Sequence, residues 1–234
     1  MNTNTIQIAD RTITASEIIP LLSDYQLLSK LRRELIIDRA IESVTITASE
    51  AASSSEKFYQ QRGLKLAGDR LTWLLQHGLT SQQVKSLTVR QLKIEKFKQL
   101  TWGDKLQHYF IRRKQQLDRV VFSIIKTEKL DLAQELYFRL QANEESFADL
   151  AQKYSQGSES IVGGFVGPIE LGNLPPALVQ VLITSQPKKI CPMSQGEWQM
   201  IIRLEKNIPA KFDDSMRQRL LNELFELWLS EKLA

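Results

Sequence analysis

The sequence predicts an α+β chain: a helical front part and a closing helix around a central part with a small antiparallel sheet flanked by helices. Three observations carry that expectation. Threonine-led helix starts recur between Thr14 and Asp104. From Leu117 the apolar residues stop recurring at three and four and run together as a β-branched and aromatic block. After Pro209 helical spacing returns.

With 234 residues, 42% of them hydrophobic and 25% charged, the chain is long enough to bury a proper core. Ten glycines and seven prolines are too few for a collagenous or disordered chain. The formal net charge of +4 is mildly basic, but no nucleic-acid reading motif accompanies it, so no nucleic acid is expected as a partner. Cys191 is the single cysteine, which excludes an intramolecular disulfide. His77 and His108 stand at no metal-ligating distance from it in sequence, so neither metal nor cofactor is expected. The start MNTNTIQIADRTIT has no basic and then apolar export signal, and no apolar run approaches the ~18 residues of a membrane span. As read, the chain points to the cytoplasm.

Residues 5–13, TIQIADRTI, alternate apolar and polar about Asp10–Arg11 and suggest a small hairpin or an extended segment. Thr14 with Glu17, Thr47 with Glu50, Thr80 with Gln83 and Thr101 with Asp104 then fit the capping box or its aspartate variant. In such a box the threonine oxygen accepts an amide hydrogen bond and the residue three on returns one. Apolar stripes follow each start. Ile18, Leu21, Leu22, Tyr25 and Leu28 form the first, and Leu31, Leu35, Ile36 and Ala40 the second. Phe58, Leu64, Leu71, Leu74 and Leu75 come next, then Val84, Leu87, Val89, Leu92 and Phe97, and last Trp102, Leu106, Tyr109 and Phe110. Core packing is the expected fate of these stripes. The basic run Arg112, Arg113, Lys114 is expected to be a solvated helix face.

Val120, Val121, Phe122, Ile124 and Ile125 read as a buried strand. Leu130, Ala133, Leu136, Tyr137 and Leu140 mark an amphipathic helix over 128–141. Ser146 with Asp149 opens another, with Phe147, Leu150, Ala151 and Tyr154 on its apolar face. Gly163–Gly164 could cradle phosphate only between a strand and a helix N-terminus. Here a helix precedes and a proline-containing segment follows, so a positive-φ requirement ahead of a short strand is the expected reason. Pro175 and Pro176 suit a helix start, and Trp198 to Leu204 is the final strand. Asp213 is the expected cap of a last helix whose stripe of Met216, Leu220, Leu221, Leu224, Phe225, Trp228 and Leu229 is too apolar for water.

The segments FSIIK, FADLAQKYS, GGFVG, GNLPPAL and WQMIIRL stand in order across about ninety residues. This part resembles the parvulin-type (PpiC-like) prolyl isomerases, whose corresponding motifs read H-I-L-V-K, F-x-x-L-A-x-x-[YH]-S, G-G-D-L-G, G-Q-M-x-P-x-F and G-x-H-I-I. With helices before it and one long helix after it, the whole chain is similar to the SurA and PrsA foldases. That resemblance implies a helical chaperone-like domain of residues 1–117 completed by a docking helix, 208–234, and a parvulin domain of residues 118–207. Use of the last helix for dimerisation stays open, as does monomer against dimer. Carried over position by position, the family's pocket falls on Phe122, Gly157, Val166, Leu174, Leu178 and Met200, with Gln195 and Glu197 on its polar rim. Phe122 and Met200 replace the family's histidines, Gly157 its Cys or Asp, and Phe165 the aspartate of G-G-D-L-G. No residue is therefore assigned as catalytic, while Val166, Leu174, Leu178, Gln195 and Glu197 are expected to bind substrate. The implied partners are unfolded or proline-containing polypeptides, and the implied place is outside the cytoplasm. Two functions remain open: a chaperone with a weakly active or inactive isomerase domain, or an active peptidyl-prolyl cis-trans isomerase.

Overall fold

The structure, a computed structural model, describes residues 5–8 and 10–234. It divides into two compact units, one running up to Leu106 and including Asp214–Ala234, the other Gln107–Asp213.

The first unit is helical. Strands β1 (Thr5–Ile8) and β2 (Arg11–Thr14) form an antiparallel hairpin. Helices α1 (Ala15–Asp24), α2 (Leu28–Ile41), α3 (Ala48–Gln61), α4 (Ala67–Gln76) and α5 (Ser81–Trp102) follow, and α10 (Asp214–Leu233) completes the unit. The boxes at Thr14, Thr47 and Thr80 form as expected. At Thr80 the Gln83 amide donates to the threonine oxygen at 3.2 Å, and the Thr80 amide donates back to Gln83 Oε1 at 2.7 Å. The box expected at Thr101 does not form. Helix α5 runs through it to Trp102, and Thr101 Oγ1 donates to the Phe97 carbonyl one turn back. An N-cap needs an extended backbone, and Thr101 instead lies inside α5, after which the chain passes through a short turn at Gly103–Lys105 into α6 (Leu106–Leu117).

The core of this unit gathers Ile37, Ile41 and Val44 with Ile94 of α5 and Phe225 and Leu229 of α10. Phe97, Trp102 and Trp228 pack at its margin, with Phe97 and Trp228 centroids 5.3 Å apart. Arg33 clasps both oxygens of Glu226 at 2.9 and 2.7 Å, a two-point tie between α2 and α10. The sequence expected the apolar stripes to be core, and several residues are not. Tyr25, Leu35, Leu71, Leu75 and Leu87 are all more than half exposed, and α1 buries no residue at all. Their spacing is helical, but the neighbouring helices cover only part of each stripe.

The second unit holds a four-stranded sheet of order β4-β3-β6-β5. Its strands are β3 (Arg119–Thr127), β4 (Phe165–Glu170), β5 (Ile190–Gln195) and β6 (Trp198–Ile208), and every pairing is antiparallel. Helices α7 (Leu130–Gln141), α8 (Phe147–Tyr154) and α9 (Pro176–Thr184) cover it. Central β3 is buried on both faces, which is why its sequence is a continuous apolar run rather than an alternation. One face meets α9: Val120, Phe122, Ile124, Met200, Ile202 and Leu204 cluster with Leu178 and Leu182. The other meets α7 and α8: Ile125 and Ile201 cluster with Leu136, Leu140, Phe147 and Leu150. Strand β5 was not expected from the sequence. It carries Pro192, which is tolerated because β5 is an edge strand paired only with β6.

Candidate functional site

Register places the site. On β3, Phe122, Ile124 and Lys126 lie two apart and share a face. Across β6 they stand opposite Leu204, Ile202 and Met200, and on β4 Phe122 stands opposite Val166. That face is the floor of a groove of about 700 Å³. One wall is Leu174, Pro175 and Leu178, where the turn enters α9; another is Gln195, Gly196 and Trp198 in the β5–β6 hairpin. The third side is Gln156 and Gly157, just after α8.

Hydrogen bonds hold that third side in place. The Lys126 amide donates to Ser155 Oγ at 3.0 Å, and the Gln156 amide donates to the Lys126 carbonyl at 2.9 Å. At Gly164, φ is +78, and a Cβ would stand 2.6 Å from the Ile124 carbonyl oxygen. The double glycine thus lets the loop press against β3 ahead of β4, where the Ile124 amide donates to the Gly164 carbonyl at 2.8 Å.

Of the residues singled out from the sequence, Phe122, Gly157, Val166, Leu174, Leu178, Gln195 and Met200 lie around this one groove. Glu197 does not; it sits exposed in the hairpin turn. Phe122 and Met200 are also core residues, 2% and 7% exposed, so the groove floor is the outer skin of the hydrophobic core. Ile124, Lys126, Gln156, Pro175 and Trp198 line the groove as well and were not foreseen. Lys126 could have been found from its even spacing to Phe122 on a strand. Phe165 faces away from the groove, opposite Ser123, and is half exposed.

The groove is apolar at its centre and polar at one end. There Lys126 Nζ donates to Glu159 Oε2 at 3.3 Å, and Ser155 Oγ donates to Glu159 Oε1 at 3.1 Å. Residues of this unit outside the groove lining form a second charged cluster. Burial pushes the Glu205 carboxyl up, but hydrogen bonds from Lys188, Ser123 and Arg203 outweigh it and hold the group below the ordinary carboxylate range. Among the described residues no group of His, Cys, Asp and Glu could hold a metal ion, and no helix is long and apolar enough to cross a membrane.

Apolar grooves rimmed by a few fixed polar groups bind chains or rings, not ions, and comparison with known proteins agrees with the class. Residues 122–205 match the rotamase family, the PPIC-type PPIASE domain. This part of the chain is therefore a parvulin-type domain of the PpiC class. The chain is similar in sequence to SurA chaperones and in fold to a PrsA structure. The chaperone SurA of Cupriavidus pinatubonensis is 26% identical over 174 residues, covering 67% of this chain and 33% of that protein. The chaperone SurA of Bordetella pertussis is 33% identical over 90 residues, covering 38% of this chain and 17% of that protein. The chain thus spans about a third or less of the length of these relatives. In fold, the peptidylprolyl isomerase PrsA of Bacillus cereus superposes with a TM-score of 0.51 at 16% identity, covering 100% of this chain and 92% of that one.

Proposed function

We propose that the protein is a SurA-like foldase that binds unfolded, proline-containing polypeptide, and that its parvulin groove recognises such segments with weak isomerase activity or none. In this reading residues 1–117 with 208–234 hold clients and residues 118–207 supply the proline groove. One observation carries it: the groove keeps its apolar lining, while Phe122, Gly157 and Met200 offer no side chain able to hydrogen-bond a twisted amide.

Isomerisation breaks no covalent bond. The barrier of ~20 kcal/mol falls only if the site binds the twisted X–Pro amide better than the planar one. An apolar slot binds both forms alike, which favours affinity over rate. The exposed apolar side chains of the helical unit support the client-holding half of the reading. The alternative, an active isomerase, draws on Lys126 and Gln195, which do present polar groups to the groove. A cis-proline peptide assay and an aggregation-suppression assay on one preparation separate the two. We expect suppression with little or no acceleration. Acceleration at rates typical of parvulins would overturn the weak-activity reading, and loss of both activities would overturn the function.

A further inference from the structure

Gly157 has φ −89 and ψ 163, an extended conformation open to any residue, so its backbone does not require glycine. Space does. A Cβ at this position would fall inside both carboxylate oxygens of Glu159, which folds back over the glycine. That carboxylate is nearly enclosed, with 8% of the side chain exposed, and it is bound by Ser155 Oγ and by Lys126 Nζ. Lys126 in turn is 34% exposed and lines the groove. The missing side chain at 157 and the lodged carboxylate at 159 are therefore two halves of one arrangement.

We propose that Glu159, lodged over Gly157, is a specificity-determining residue that neutralises Lys126 and sets the groove to take uncharged X–Pro segments without preference for acidic ones. Lys126 is the charged side chain in the groove lining. Left unpaired beside an apolar floor, it would attract a carboxylate on a bound peptide, because charges that are partly desolvated interact more strongly than in bulk water. With Glu159 in contact, the pair presents a dipole rather than a net charge. Its remaining ammonium hydrogens still suit a neutral main-chain carbonyl. This proposal rests on the reading that the groove binds proline-containing chain.

The test compares two blocked peptides that differ only in carrying Ala or Glu before the proline, titrated into the isotope-labelled full chain and followed by NMR. The wild-type protein is expected to bind the acidic peptide no more tightly than the neutral one, with amide shifts around Ile124, Val166 and Met200. Glu159→Ala should turn this into about a fivefold preference for the acidic peptide. Gly157→Ala should do the same by evicting the carboxylate, and without unfolding, since the atoms it displaces are the far end of a flexible side chain. Adding Lys126→Met to Glu159→Ala should abolish the preference. Gly157→Asp on the Glu159→Ala background should also abolish it, by returning a carboxylate to the same spot. A Glu159→Ala or Gly157→Ala protein that binds both peptides with the wild-type ratio overturns the proposal and leaves groove binding intact. Absence of groove shifts in the wild-type protein overturns the groove reading itself, and this proposal with it.

Discussion

Replacing Phe122 by histidine puts a ring with two nitrogens where the family pattern has one, and the structure says what that would do here. Phe122 is 2% exposed and packs among Val120, Ile124, Leu178, Met200 and Leu204, none of which carries a side-chain donor or strong acceptor. Exchanging a phenyl for an imidazole gives up part of the ~1.5–3 kcal/mol that burying the ring contributes. Leaving a ring nitrogen unsatisfied in a dry site adds about 1–3 kcal/mol. Together these predict a loss of about 3 kcal/mol, or on the order of 15 °C in the melting temperature of a unit this size. The loss should deepen in acid. Burial lowers the folded-state pKa of an imidazole below its unfolded value of ~6.5, so near and below that pH the unfolded chain binds more protons and stability falls as pH falls. The assay is thermal unfolding of Phe122→His and wild type, followed by NMR signals of the sheet at pH 7.5 and 5.5. A shift of less than about 3 °C at both pH values would mean the groove floor is not the dry core skin described above, and the reasoning would fail.

Two further outcomes concern the helical unit. Leu229→Ala removes a fully buried side chain from the seam between α10 and its neighbours, and should cost about 3 kcal/mol in chemical denaturation of that unit. Glu50 gives a pH signature: hydrogen bonds from Lys96, and then from the backbone and side chain of Thr47, hold its carboxyl down to about 2. Its folded-state value lies below its unfolded one, so its contribution is fully present above the ordinary carboxylate range and is lost as pH falls toward 2. A Glu50→Gln protein should lack that part of the acid-dependent loss, seen as a flatter melting-temperature profile between about pH 4.5 and 2.

What the sequence made legible was set by distance along the chain. Capping boxes at Thr14, Thr47 and Thr80 are local chemistry, and the residues three apart that form them can be read directly. The motif at Thr101 failed because its threonine found a nearer acceptor in the helix already running through it. The strand register that brings Phe122, Val166 and Met200 to one groove was reachable through family motifs and two-residue spacing. Lys126, Trp198 and edge strand β5 were not seen, since Pro192 and Cys191 weaken a strand pattern that only the neighbouring β6 sustains. Nor could spacing reveal that the Tyr25, Leu35 and Leu87 stripes would be left open, because coverage depends on helices far away in sequence. The fit of Glu159 over Gly157 is a matter of side-chain rotamer and is set only in the folded chain.

The pairing of α10 with α2 and α5 sets an order of events during synthesis. Arg33 must wait for Glu226, 193 residues later, and Lys98 for Asn222, 124 residues later. The parvulin-type unit lies wholly within one continuous stretch, Gln107–Asp213, and has every strand it needs before α10 is made. The second unit therefore has all its own contacts without α10, whereas the first, lacking Phe225 and Leu229, leaves Ile37, Ile41 and Ile94 open to water. A chain halted after residue 213 would carry a finished groove joined to a helical half with an open seam, apolar enough to engage other unfolded chains.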